Sequence, residues 1–368
     1  MKYYLVVGER SGDLHASNLM KEIKKLDAQA EYRFYGGEQM QSVGGTLVRH
    51  YQEMAIMGFI EVLLNIRKIA RFLKECKQDI LQYKPDVVIL VDYAGFNMRI
   101  AKFCKANQIK SYYYISPKVW AWNTKRALKI KQNVDKMFVI FPFEKDFFKQ
   151  FDYEVDFVGN PLLDAIRAFS PNAQFFENNK LDKNKPIIAL LPGSRKGEVS
   201  LILPMMLSVY EDFKEYQWVV AGVKNLPESF YTDCKKLNIS IIYDQTYDLL
   251  SHAHAAVVTS GTATLETALF NVPQVVCYKG SWISYQIAKR LIKVPYISLV
   301  NLVLNKQTVV ELIQDQLNTK NLTKELEKTL GGETRKNILE DYQTLQKMMG
   351  TAGASEITAK LMYQYLTN

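Results

Sequence analysis

The run Gly8-Glu9-Arg10-Ser11-Gly12-Asp13-Leu14-His15 follows a short apolar strand and has the make-up of a turn that opens a helix. Its free amides suit an anion or a sugar. It is not the GxGxxG dinucleotide fingerprint, since only Gly8 and Gly12 are present. A second such turn is Leu191-Pro192-Gly193-Ser194-Arg195, where Gly193 permits close backbone approach and Arg195 offers a planar fork of donors for a pyrophosphate. In a third, Thr259-Ser260-Gly261-Thr262-Ala263-Thr264-Leu265-Glu266, the carboxylate of Glu266 lies one turn beyond Thr262. At that spacing it can accept both hydroxyls of a ribose while phosphates occupy the positive end of the helix. Each segment alone reads equally well as a capped, solvated turn, with Ser11 or Asp13 capping the first. The second and third together, at corresponding strand ends, point to a nucleotide.

Val91-Asp92-Tyr93-Ala94-Gly95-Phe96-Asn97 ends another apolar strand and sets Asp92 at the carboxyl edge of a sheet, where open α/β folds bind ligands. Asp92 is a candidate base, with a plain turn or N-cap as the rival reading. Glu9, Asp13 and His15 could equally take a proton, and spacing does not choose among them. His252 and His254 lack carboxylate or cysteine companions, so no metal site is expected. Residues 54–64 are apolar on nearly every face and precede Arg67, Lys68, Arg71, Lys74 and Lys77; they read either as a core helix or as an interfacial membrane contact. Ser116-Pro117-Lys118-Val119-Trp120-Ala121-Trp122, followed by Lys125, Arg126 and Lys129, could stack bases, support a sugar or floor a cleft.

These groups need a scaffold, and 368 residues are more than one core usually organises. Short β-branched or aromatic runs at 3–7, 87–92, 111–115 and 137–141 alternate with helical patterns, including one at 97–107, and form a first series of βαβ units. A second series has strands at 187–191, 218–221, 239–243, 256–259 and 274–277. The Asn- and Lys-rich stretch 170–185 reads as the linker between them. The expected fold class is therefore α/β, two tandem doubly wound Rossmann-like domains. The net charge of +9 favours phosphate-bearing partners. Cys76, Cys104, Cys234 and Cys277 are far apart and show no disulfide or zinc spacing, which fits a reducing cytosol. No export signal is evident, and the longest apolar stretch falls short of the roughly 20 residues that span a bilayer.

With these segments in hand, the chain resembles the lipid-A-disaccharide synthases, inverting GT-B-type glycosyltransferases, across nearly its whole length. The match rests on Gly8 through Ala16, Met57-Gly58-Phe59-Ile60-Glu61-Val62, Asp92 through Asn97, Ser116 through Trp122, Leu191 through Arg195, Ser260 through Glu266, Ser298 through Leu302 and Glu311 through Gln314. Arg10, Ala94, Asn160, Val300 and Val310 depart from the family's usual residues. The resemblance implies two facing domains, 1–168 for the acceptor and 169–345 for the UDP-sugar, with 346–368 returning to the first domain or to a partner subunit. It implies transfer of 2,3-diacylglucosamine from its UDP derivative to 2,3-diacylglucosamine 1-phosphate, without a cofactor or metal. Asp92 and Arg195 would be catalytic. Gly193, Ser194, Arg195, Ser260, Gly261, Thr262, Glu266, Asn301, Glu311 and Gln314 would bind the donor, and Glu9, Ser11, Gly12, Asp13 and His15 would lie on the acceptor side. Met54, Met57, Phe59, Ile60, Leu63, Leu64, Arg67 and Arg71 would contact an anionic membrane, placing the protein peripherally on the cytoplasmic face of the inner membrane. Nucleic acid is not an expected partner; a homodimer is allowed. The rival functions are a UDP-sugar epimerase of the same architecture and a non-enzymatic RNA or lipid-surface binder.

Overall fold

The apolar runs Val87–Val91 and Ile187–Leu191 become strands buried along their whole length, as parallel strands covered on both faces must be. In the computed structural model, which describes residues 1–54, 66–281, 285–286, 289–290 and 294–368, the chain forms two compact units, residues 1–165 with 351–368, and residues 166–350.

The first unit holds β1 (Lys2–Val6), β2 (Glu31–Gly36), β3 (Thr46–His50), β4 (Val87–Val91), β5 (Ser111–Tyr114), β6 (Lys136–Val139) and β7 (Asp156–Phe157) in the order β3-β2-β1-β4-β5-β6-β7. All neighbours are parallel, and β1 runs beside β4 with Tyr3 opposite Val87 and Val6 opposite Leu90. The second unit holds β8 (Ile187–Leu191), β9 (Gln217–Gly222), β10 (Ser240–Tyr243), β11 (Ala253–Thr259), β12 (Gln274–Tyr278) and β13 (Glu311–Ile313), again parallel, in the order β10-β9-β8-β11-β12-β13. Each sheet thus grows outward from its first strand and then restarts on that strand's other side. The switch points fall between β1 and β4 and between β8 and β11, where such sheets bind ligands at their carboxyl edges.

Several elements differ from the sequence reading. β2, β3, β7 and β13 carry no continuous apolar run: β2 alternates Glu31 and Arg33 with buried Tyr32 and Phe34, and the other three are sheet edges of two to five residues. The stretch 170–185 is not a linker but part of the second unit. Phe175 is 0% exposed and packs with Leu181 against Ile187 and Leu249, and Asp248 accepts a 2.6 Å bond from the Asn172 amide. Two apolar anchors outweigh the polar composition around them. Met54 is also a correction: it is 1% exposed and belongs to the first core, so it is not displayed to a membrane. Met57, Phe59, Ile60, Leu63 and Leu64 lie outside the described residues. Arg67 is exposed, and Arg71 is exposed over the Phe72 ring. Among the described residues, no helix is long and apolar enough to cross a membrane.

The last helix, Ala354–Thr367, lies on the first unit against the helix Arg10–Leu26, where Ala359 and Met362 join a core of Leu19, Met20 and Ile23. Asp164 anchors its start: the carboxylate accepts from the amides of Gly353, Ala354 and Ser355, the last two at 3.3 Å. Gly353 supplies the left-handed φ of 120° that turns the chain into the helix. This is N-capping delivered from a distant residue, and caps of this kind contribute on the order of 1 kcal/mol. Asp164→Ala should lower the unfolding free energy by about 1–2 kcal/mol in urea titration; an unchanged midpoint would show that apolar packing alone seats the helix.

Candidate active site

At the carboxyl edge of the first sheet three non-glycine residues take left-handed backbone: Asp92 at φ 45°, Tyr93 at 48° and Ile115 at 66°. For β-branched Ile115 this is a genuine outlier, and left-handed geometry costs roughly 1–2 kcal/mol per residue. Asn97, buried in the first turn of the helix Ala94–Ala106, holds the turn: its Nδ2 donates to the carbonyls of Val6 (3.2 Å), Val91 (3.2 Å) and Asp92 (2.8 Å). The Tyr113 hydroxyl donates to the same Asp92 carbonyl. Tyr93 then lies flat on the first loop. A Cβ at Gly8 would stand 2.2 Å from its ring, so only glycine fits there, and its hydroxyl donates to the Met54 carbonyl at 2.9 Å. The loops after β1 and β4 are thereby locked together.

Four groups on these loops were candidates to take a proton, and their surroundings separate them. The Asp13 carboxylate is buried and accepts from the amides of Gly37 (2.7 Å), Gln39 (3.0 Å) and Met40 (3.3 Å), capping the helix Glu38–Val43. This corrects its assignment to the acceptor side: it positions the next loop. Burial pushes His15 down to about 4, against the pull of Asp164, so its imidazole is neutral and weakly basic at neutral pH. Glu9 is the half-buried N-cap residue of the helix Arg10–Leu26. Ser11 is exposed on the first turn and Gly12 is buried against Val7. Burial raises the Asp92 carboxyl above its ordinary range, with Lys118 and the Tyr93 amide pulling it back. A carboxylate moved toward neutrality is the better general base.

Sequence reasoning missed Glu144. It is buried in the helix Phe143–Lys149, and one carboxylate oxygen accepts from the amides of Ile140 (3.1 Å) and Phe141 (2.9 Å). The other accepts from the Ser116 hydroxyl and from Trp120 Nε1 at 3.2 Å. Glu144 therefore pins both ends of the Ser116–Trp120 loop and so fixes the exposed Lys118 whose charge acts on Asp92. The available signal was an acid in the first turn of a helix flanked by Phe141, Pro142 and Phe143, where a solvated face would be polar.

In the second unit, Gly193 takes φ 101°, and a Cβ there would meet Glu198 at 2.6 Å. Ser194 is exposed beside it. Arg195 caps the helix Lys196–Leu207 with its guanidinium 68% exposed and held to Glu198 at 3.1 Å. Across the switch point, β11 leads through Ser260 and Gly261 into the helix Thr262–Leu269. Thr262 is exposed at its start. The Ser260 hydroxyl donates to the Ile297 carbonyl (2.9 Å). Glu266 accepts one bond from the Tyr247 hydroxyl (3.1 Å); burial raises its pKa and Tyr247 lowers it.

Three residues expected on the donor side are engaged within the protein. Asn301 is buried, donating to the Val309 carbonyl and to Glu311 Oε1 while accepting from the amides of Thr308 and Val309. Glu311 also accepts from the amides of Ile297 (3.0 Å) and Ser298 (2.9 Å), fixing the start of the helix Leu299–Leu304. Gln314 exchanges bonds with the amide and carbonyl of Gly280. Their polar atoms hold protein loops, which gives all three a positioning role. His252 stacks on Phe175, and His254 Nε2 bonds to the Leu330 carbonyl.

Burial raises Glu144 from the usual 4.5 to about 7, against the pull of its four donors. Its protonated form stabilises the fold fully below about pH 4.5, and that contribution is lost as pH rises through 7, amounting to roughly 3 kcal/mol. Glu144→Gln should flatten the fall in unfolding free energy between pH 5 and 8 by about that amount. The substitution also loosens the loop at every pH, because an amide NH₂ must face at least one N–H or O–H donor. Parallel slopes for the two proteins in urea titrations would refute the assignment.

The family model for lipid-A-disaccharide synthetase matches residues 3–362. The lipid-A-disaccharide synthase of Syntrophus aciditrophicus is 39% identical over 364 residues, spanning 96% of this chain and 95% of that protein. That of Geobacter sulfurreducens is 34% identical, spanning 98% and 96%. Among solved structures, a UDP-GlcNAc 2-epimerase from Neisseria meningitidis bound to UDP-GlcNAc superposes with a TM-score of 0.68 at 13% identity, covering 99% of this chain and all of that one. The glycosyltransferase of kitacinnamycin superposes at 0.70 and 12% identity, covering 99% of each chain. At such identities these likenesses show the fold, which is GT-B. The chain belongs to the lipid-A-disaccharide synthase family.

Proposed function

We propose that this glycosyltransferase moves 2,3-diacylglucosamine from its UDP derivative to the 6-hydroxyl of 2,3-diacylglucosamine 1-phosphate with inversion, giving the β-1′,6-linked disaccharide 1-phosphate and UDP. The observation that carries the mechanism is the carboxyl of Asp92, raised by burial and held on a left-handed turn at a switch point. Strain of this kind persists where the surroundings over-determine it and clusters at working sites.

In this reading Asp92 accepts the proton of the acceptor hydroxyl as its oxygen bonds to the anomeric carbon, and the electron pair of the breaking C–O bond leaves with UDP. Arg195 and the amides at the start of the helix Thr262–Leu269 meet the growing charge on the diphosphate. Glu266, with one oxygen steadied by Tyr247, takes the ribose hydroxyls. Gly193, Ser194, Ser260 and Gly261 shape the backbone at the diphosphate, and Glu9, Ser11 and Gly12 shape the acceptor loop. The exposed Arg67 and Arg71 support peripheral attachment to an anionic membrane on the cytoplasmic face. The C-terminal helix docks on the first unit of its own chain, so no exchange with a second subunit is needed.

Purified protein should release UDP only when both acylated sugars are present; conversion of unacylated UDP-N-acetylglucosamine alone would favour an epimerase instead. Asp92→Asn should lower kcat by 10²–10⁴-fold while sparing UDP binding. Arg195→Ala should weaken both, and equal loss of UDP affinity in the two variants would contradict these roles. Because Lys118 holds the Asp92 carboxyl down, Lys118→Met should move the acid limb of the kcat/KM profile to higher pH. A limb that stays in place would remove Asp92 as the titrating base.

A further inference from the structure

Donor and acceptor in this reaction carry the same diacylated glucosamine. They differ at the anomeric oxygen, which bears a uridine diphosphate in one and a phosphomonoester in the other. An enzyme that accepts both must tell them apart by that group. The diphosphate contacts proposed above all belong to the second unit, which leaves the phosphomonoester without a recognised partner.

A pocket of about 300 Å³ opens in the first unit between the start of the helix Ala94–Ala106, the Ser116–Trp120 loop and the helix Arg126–Asn133. Its floor is apolar, formed by Met98, Pro117 and Val119. Its rim carries three cations, Arg99, Arg126 and Lys129, and no acid lines it among the described residues. Arg99 and Lys129 make no ion pair among the described residues. Arg99 and Lys129, gathered over apolar side chains with no carboxylate paired to either among the described residues, repel one another until an anion arrives. The pocket begins at Ala94, two residues after Asp92. Its size lies at the lower end for small-molecule sites, enough for a sugar phosphate and the first carbons of an acyl chain.

The geometry points to this pocket as the recognition site for the acceptor's phosphomonoester, with the apolar floor taking the start of an acyl chain. The inference rests on the proposed transfer reaction. A phosphomonoester carries about −1.5 to −2 charges at pH 7 and three strong acceptor oxygens, which match the fork of Arg99 and the point charge of Lys129. A diester-linked diphosphate offers neither the terminal dianion nor the compactness that the pocket selects. Anchoring the phosphate beside the turn that bears Asp92 would select the acceptor on the same loop that deprotonates it.

The test compares wild type with Arg99→Ala and Lys129→Ala in detergent micelles, varying each substrate separately. The acceptor KM should rise at least tenfold while the KM for the UDP-sugar stays within twofold. The wild type should bind 2,3-diacylglucosamine 1-phosphate at least tenfold more tightly than the same sugar without its phosphate, measured as a competitive inhibitor, and the variants should lose that preference. Arg99→Lys should recover part of it. Both side chains are exposed, so the fold is retained. An unchanged acceptor KM, or equal rises for both substrates, overturns the site. A separate sedimentation assay with phosphatidylglycerol vesicles identifies the other source of a lipid phosphate: lost vesicle binding with an intact acceptor KM assigns the cations to a membrane headgroup and also overturns it. If wild type releases no UDP from the authentic pair, the reaction itself fails, a result independent of either variant.

Discussion

The amide of Asn97 is the fastening on which the first unit's site depends. Its Nδ2 joins the ends of β1 and β4 by donating to carbonyls on both, and it fixes the Asp92 carbonyl that Tyr113 also holds. Parallel strands separate at a switch point, so the carbonyls there lose their ladder partners. One side-chain amide reached across the gap satisfies three of them. Two consecutive left-handed residues cost a few kcal/mol together. Three donor hydrogens, two shared among carbonyls by the Asn97 amide and one from Tyr113, at about 1 kcal/mol each and placed where water is excluded, are of the size needed to hold them. Without them the turn would relax and Asp92 would leave the strand edge.

The same economy of polar groups explains the arrangement around it. Asp13 and Asp164 each gather backbone amides from a distant segment, and Glu144 gathers those of Ile140 and Phe141 just before its own helix. A buried carboxylate is costly unless every lone pair is met, and in each case the donors come from helix starts or turns that would otherwise be unsatisfied. Loops that carry chemistry are thus tied to the scaffold through anions that carry none. At Glu144 burial raises the carboxyl to about 7 against the pull of its four donors. It therefore couples the Ser116–Trp120 loop to pH.

The sequence made the centre of each sheet readable and left the rims obscure. Val87–Val91 and Ile187–Leu191 are buried on both faces and appear as unbroken apolar runs, whereas β2 alternates and β7 has two residues. Phe175 and Leu181 show why 170–185 was misread: composition averages over a stretch, but two side chains suffice to bind it to a core. The loops of the site were legible because glycine, hydroxyl and charge at strand ends have few other uses. What each polar residue touches was not. Asn301, Glu311 and Gln314 stand in motifs of the family, yet a motif says that a group is needed without saying whether a ligand or a loop needs it.

The two switch points are built alike in topology and differently in chemistry, and the difference matches the proposed division of labour. The first unit buries its carboxyl and strains its backbone, which raises proton affinity and fixes direction, the properties a base requires. The second uses glycine at Gly193 to bring backbone close and leaves Arg195 exposed in an i,i+3 pair with Glu198. Such a surface pair contributes between nothing and about 1 kcal/mol, so exchanging it for a diphosphate costs little. Had Arg195 been buried with its partner, an incoming phosphate would have had to break a costly pair and strand a charge. In the proposed reaction a loosely held guanidinium at a positive helix end is free to follow charge as it develops, while a carboxylate on a fixed turn takes the proton.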